Sequence, residues 1–123
     1  MTQYKILIVE DEFITALDLQ RTLKKQGYSC QITSTGAEAI TFAENEKPNV
    51  VLMDINIDGE INGIETAEKI YSKFAIPIIF MTGYSDEENI AKTKYSKPVA
   101  VLCKPLDIDV LKATIISAIE KVA

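Results

Sequence analysis

The 123-residue sequence contains no histidine and no tryptophan, and only two cysteines, four prolines and five glycines. Without histidine there is no imidazole base, no histidine ligand for zinc and no phosphohistidine carrier. Cys30 and Cys103 stand apart in apolar stretches without metal-ligand spacing, so both read as buried, reduced thiols and a disulfide framework is excluded. Long apolar runs are missing too. IPIIFM and PVAVLC fall far short of the roughly 20 apolar residues that cross a bilayer as a helix, so no membrane association is expected. The start, MTQYKILIVEDE, reaches acidic residues too early for a secretory signal, which makes the cytoplasm the expected location. Basic residues number 13 against 18 acidic ones, giving a net charge of -5 and a pI near 4.7. A basic face for phosphate backbones is therefore lacking, and nucleic acid is not expected as a direct partner.

What is present is an alternation. The 47% apolar content, with no linker composition and no repeat, fits one domain over 1–123. YKILIV (4–9) reads as a strand, and 13–26 as a helix with Phe13, Ala16, Leu17, Leu19 and Leu23 inward, stopping at Gly27. YSCQITS (28–34) is a second strand, followed by a helix over 37–46 that turns Ala37, Ile40 and Ala43 to the core and ends before Pro48. NVVLMD (49–54) is the third strand, and Ile64, Ala67, Ile70, Tyr71 and Phe74 form the apolar stripe of the next helix. IPIIFM (76–81), the short polar helix SDEENIAKTK (85–94) and PVAVLC (98–103) follow. Asp107 then caps a last helix with Leu111, Ile115, Ala118, Ile119 and Val122 on one face. Five strand and helix alternations predict an α/β fold, a parallel sheet doubly wound with helices on both faces. Strands one, three, four and five are apolar almost throughout, as strands covered on both sides should be.

In such sheets ligands bind beyond the carboxyl ends of the strands, and there this chain concentrates its polar residues. Glu10 and Asp11 follow strand one, Asp54 ends strand three, Thr82 follows strand four and Lys104 strand five. Each alone is ordinary strand-end chemistry. Together, three carboxylates at one rim would repel unless a hard divalent cation and a lysine joined them.

The stretch DINIDGEINGIE (54–65) complicates this, because Asp54, Asn56, Asp58, Gly59 and Glu65 fit a calcium-loop spacing. A calcium loop needs an entering helix, and the preceding ENEKPNVVLM carries Pro48 and then a β-branched run that no helix accommodates. The pattern is read instead as two parts: Asp54 and Asn56 at a strand end, Glu65 in the first turn of the next helix, and Asp58, Gly59 and Asn62 as the turn between.

With ILIVEDE, VVLMDI, FMT and CKP at their intervals, the whole chain resembles the receiver domain of two-component response regulators. The resemblance implies a flavodoxin-like five-stranded sheet in the order 2-1-3-4-5, flanked by five helices. It implies Asp54 as the phosphoacceptor, taking its phosphoryl group from a phosphohistidine of a sensor histidine kinase or histidine phosphotransfer protein, or from a small donor such as acetyl phosphate. Mg²⁺ would be held by Asp11, Asp54 and the backbone carbonyl of Asn56, with Glu10 acting through a bound water. Lys104 would pair with Asp54 and then with a phosphoryl oxygen, and the Thr82 hydroxyl would bond another. The output would be a changed partner affinity on the surface of the fourth helix, fifth strand and fifth helix. No enzymatic activity is implied beyond self-catalysed phosphorylation and dephosphorylation of the aspartate.

The chain departs from the family in two places. Val101 stands where many receivers carry a switching aromatic, for which Tyr84 or Tyr95 are the candidate substitutes. INIDGEING replaces a loop that commonly has a proline soon after the phosphoacceptor. Tyr84 beside the access route is expected to shield the phosphoryl group from water. Lys104 and Pro105 fit a lysine-proline pair that is commonly cis. A haloacid-dehalogenase-like phosphatase is excluded because its general acid would be an aspartate where this chain has Asn56. The alternative is an unphosphorylated receiver acting as a protein docking module, against which the presence of every site residue argues.

Overall fold

Short β-branched runs separated by amphipathic segments build one layered sheet. The computed structural model describes residues 3–83 and 87–122. The strands are β1 (Lys5–Val9), β2 (Ser29–Thr33), β3 (Val50–Asp54), β4 (Ile78–Thr82) and β5 (Ala100–Cys103), all parallel, in the order β2-β1-β3-β4-β5. The helices are α1 (Phe13–Lys25), α2 (Gly36–Glu46), α3 (Gly63–Phe74), α4 (Glu87–Lys92) and α5 (Ile108–Val122). This is the flavodoxin-like arrangement. The order reverses between β1 and β3, so the carboxyl ends of those neighbours flank the switch point.

Alternation along each strand sorts the core into two layers. Leu7, Val9, Val51, Met53 and Phe80 pack with Ala39, Ala43, Ile64, Ala67 and Ile70 of α2 and α3. Ile6, Ile8, Val50, Leu52, Ile79 and Met81 face Ala16, Leu19 and Leu23 of α1 and Leu111, Ile115 and Ala118 of α5. Strands β3 and β4 are buried at every position. Asp107 caps α5 as expected, its Oδ1 accepting from the amides of Asp109 at 2.9 Å and Val110 at 3.2 Å.

Four expectations need correction. β5 is the edge strand and is only partly buried, and Cys103 at its end is exposed; Cys30 alone is a buried thiol, its pKa pushed up to about 11 by burial. Phe13 does not face the core. It stands 66% exposed at the start of α1, beside Ile14. The buried stripe of α2 is Gly36, Ala39 and Ala43, with Ala37 exposed and Ile40 partly buried. Small side chains win that face because α2 lies close against α3: a Cβ added to Gly36 would collide with Thr66 Oγ1 and stand 2.6 Å from Ile61 Cγ1. Finally, of the helix expected over 85–94, residues 85 and 86 lie outside the described residues, α4 carries it to Lys92, and a 3₁₀ turn at Thr93–Ser96 that packs along α3 takes its end.

Candidate functional site

The carboxyl ends of β1 and β3 bring three acids together. Glu10 leaves β1 buried, 2% exposed, its amide donating to the Thr33 carbonyl across the sheet at 3.0 Å. Asp11 follows on the surface. Asp54 ends β3, 5% exposed. One carboxylate oxygen from each of the three lies within 4.8 Å of the other two. Lys104, just past β5, is anchored by its amide to the Thr82 carbonyl at 2.7 Å, and its Nζ donates to Glu10 Oε1 at 2.7 Å and Asp54 Oδ2 at 3.1 Å. The Lys104–Pro105 bond is cis.

Backbone amides complete the set. Asp54 Oδ1 accepts from the Asn56 amide at 2.9 Å, and Glu10 Oε2 accepts from the Glu12 amide at 3.4 Å. Asp11 Oδ2 accepts from the Asp58 amide at 3.1 Å. The loop carrying Asn56 and Asp58 is pinned at its far end by α3. Asn62 caps that helix, accepting from the Glu65 amide while the Glu65 carboxylate accepts from the Asn62 amide.

Burial and pairing divide the two inner carboxyls. Glu10 is raised to about 7, chiefly because burial penalises its charge, with the Asp54 hydrogen bond adding and Lys104 opposing. Asp54 is held below the usual carboxylate range. Burial acts against that, and is outweighed by the hydrogen bonds from Glu10, the Asn56 amide and Lys104. Lys104 is raised, since its two carboxylate partners outweigh its own desolvation. Burial and pairing thus favour the ionised form of Asp54 and the protonated form of Glu10.

The donor set suits a hard divalent cation. It is all oxygen, it is acidic, and the single ammonium does not balance three acids. Asp11, Asp54 and the Asn56 carbonyl could supply only part of a shell, which matches an ion that keeps several waters.

Of the residues singled out from the sequence, Glu10, Asp11, Asp54 and Lys104 meet directly, and Thr82, 1% exposed, ends β4 beside them. Lys104 reaches Glu10 as well as Asp54, a pairing not expected from the sequence. Val101 lies in β5 opposite Phe80 and packs against its core layer, away from the acids. Tyr95 is 67% exposed on the 3₁₀ turn. Tyr84 lies outside the described residues. Two contributors went unread in the sequence: the Asp58 amide and Gly63, whose added Cβ would collide with the Asp54 carbonyl oxygen.

Over residues 6–116 the chain matches the family described as the response regulator receiver domain. The chain belongs to that family. Among curated relatives, this receiver is 31% identical over 113 residues to sporulation initiation phosphotransferase F of Bacillus subtilis, covering 91% of this chain and 90% of that protein. It is 32% identical over 118 residues to the transcriptional regulatory protein PdtaR of Mycobacterium tuberculosis, covering 95% of this chain but 57% of the relative. The chain therefore spans little more than half the length of that regulator. Among solved structures, the signal receiver domain of a modulated diguanylate cyclase from Desulfovibrio desulfuricans superposes with a TM-score of 0.92 at 34% identity, covering 98% of this chain and 96% of that one. The receiver is accordingly that of a two-component response regulator. None of its described helices is long and apolar enough to cross a membrane.

Proposed function

We propose that this receiver takes a phosphoryl group onto Asp54 from the phosphohistidine of a sensor histidine kinase or histidine phosphotransfer protein in the cytoplasm, with Mg²⁺ as cofactor. The observation that carries this reading is one ionised, nearly buried carboxylate flanked by two further acids and a lysine at the switch point of the sheet. A carboxylate is a weak nucleophile, so placement and charge neutralisation supply the rate. An oxygen of Asp54 forms the new O–P bond as the donor's N–P bond breaks, and the leaving imidazole nitrogen keeps that electron pair. The Asn56 amide and Lys104 hold the acceptor in line through lone pairs that the attack does not need. Asp11, Asp54 and the Asn56 carbonyl are the proposed cation ligands, with Glu10 acting through a bound water; the cation, when bound, supplies positive charge to the phosphoryl oxygens.

The phosphoryl group brings a charge of about -1.5 to -2. Lys104 then pairs with a phosphoryl oxygen and the Thr82 hydroxyl bonds another, displacing the start of α4. The surface of α4, β5 and α5 is the proposed output, changing its affinity for a downstream protein. Incubation with acetyl phosphate and Mg²⁺ tests the reading by mass spectrometry. One phosphoryl group is added to the protein and none to Asp54→Ala. Absence of modification with every donor would assign the chain to protein docking without phosphorylation.

A further inference from the structure

Between α4 and β5 an acidic chain gathers positive charge. The net charge is -5, yet KTKYSK (92–97) holds three of the 13 basic residues and no acid. It spans the last residue of α4, the 3₁₀ turn Thr93–Ser96 and Lys97, whose backbone is left-handed. Two buried hydroxyls fix this turn from beneath. Thr93, 3% exposed, donates to the Ile90 carbonyl at 2.6 Å, and Ser96, fully buried, donates to the Thr93 carbonyl at 2.9 Å. With those two residues inward, Lys92, Lys94, Tyr95 and Lys97 stand exposed. Their backbone is already ordered, which lowers the cost of binding through them.

Among the described residues neither Lys94 nor Lys97 has a carboxylate within ion-pair distance. Lys94 Nζ stands 5.4 Å from the centre of the Tyr95 ring instead. That ring is 67% exposed and borders a groove of about 580 Å³, lined also by Asn62, Ile64, Glu65, Glu68 and Lys92. Exposed tyrosine beside cations is the composition of a protein-binding anchor. Glu65 and Glu68 make the α3 wall of the groove acidic, and a nucleic-acid backbone, charged at every phosphate, would be repelled along it. A short acidic segment of a protein can keep its carboxylates on the lysine side.

We propose that the downstream protein docks through an acidic segment on residues 92–97, its carboxylates meeting Lys94 and Lys97 and an apolar side chain packing against Tyr95. The turn leads from α4 directly into β5, so it is continuous with the proposed output surface, and the inference rests on that reading. Complementary charge would both speed the encounter and reject basic partners.

Random peptides displayed on phage, selected on the full chain, test the proposal. Counter-selection uses the double variant Lys94→Glu/Lys97→Asn, which reverses one charge and removes another; asparagine tolerates the left-handed backbone of residue 97. The enriched peptides are expected to carry Asp or Glu beside an apolar residue, and to bind the double variant about tenfold more weakly, as the loss of two exposed ion pairs allows. Tyr95→Ala is expected to weaken the same peptides by at least about tenfold. Neutral or basic enriched sequences, or acidic ones that the double variant binds equally, would overturn the proposal. Single-stranded DNA that binds the chain and not the double variant would overturn it in favour of a nucleic-acid site. The selected peptides are then titrated into the chain and into Asp54→Ala, both treated with acetyl phosphate and Mg²⁺. Different affinities tie the docking turn to phosphorylation of Asp54. Equal affinities break that tie, and with it the reading of the output surface, while leaving the acidic docking chemistry intact.

Discussion

Gly63 lies directly against the backbone of Asp54. A Cβ at residue 63 would collide with the Asp54 carbonyl oxygen and stand 2.9 Å from its carbon and from Ile55 Cα. The first turn of α3 is thereby seated on the end of β3, with nothing flexible to yield. Gly63→Ala should cost about 1–3 kcal/mol through overpacking, even though alanine favours a helix by about 1 kcal/mol over glycine. It should also slow phosphorylation, because the strand end that must move carries Asp54, the proposed phosphoacceptor. Urea unfolding with an unchanged m-value checks the first effect, and a variant as stable as its parent would refute it.

Lys104 is the only cation bonded to Glu10 or Asp54 among the described contacts, at 2.7 and 3.1 Å. Lys104→Met should therefore have opposite effects on two measurements. Mg²⁺ should bind more tightly, since a competing positive charge has gone. Phosphorylation by acetyl phosphate at saturating Mg²⁺ should fall by about 10²- to 10³-fold, the usual cost of losing one donor to developing charge. Loss of both activities in parallel would point to a collapsed site rather than a missing charge.

Glu10 makes stability depend on pH in an uncommon direction for an acid. Its folded value of about 7 lies above its ordinary 4.5, so between those values the folded chain holds a proton that the unfolded chain has released. Stability then falls as pH rises through that window, by on the order of 3 kcal/mol at the limit. Asp54, lowered from 3.8, acts the other way and only at lower pH, where its contribution is lost on acidification. Thermal unfolding in a chelator between pH 4.5 and 7 should show the decline, and Glu10→Gln should flatten it. A slope that survives in Glu10→Gln has another source.

The sheet was legible in the sequence because β3 and β4 are buried on both faces and read as unbroken apolar runs. The acids and lysine were legible because side chains at strand ends have few places to go in a doubly wound sheet. What escaped were backbone effects and close approaches. The Asp58 amide carries no signature in residue type, and Gly36 and Gly63 matter through the hydrogen they present to a neighbour fixed elsewhere in the chain. The burial of β5 was overread as well: VAVLC looks like a strand covered on both faces, and its partial exposure follows from the edge position that the expected strand order already gave it. Two of the three α2 positions were misread, Gly36 and Ala39 being buried beside Ala43 in place of Ala37 and Ile40, because size, not hydrophobicity, selects the face that meets α3.

That α2 and α3 contact gives a prediction of its own. Thr66 Oγ1, fully buried, donates to the Asn62 carbonyl at 2.7 Å and occupies the space a Gly36 side chain would need. Gly36→Ala should destabilise the fold by about 1–3 kcal/mol. Thr66→Ala should cost about 1 kcal/mol, because the Asn62 carbonyl keeps the Thr66 amide as a donor at 3.0 Å. In the double variant the new methyl group enters space vacated by the threonine hydroxyl, so the two costs should sum to less than their separate values. A coupling of about 0.5 kcal/mol or more in that sense is the expected result of the double-mutant cycle. Strict additivity would mean that Ile61, the other atom group in the way at 2.6 Å, sets the fit between the helices.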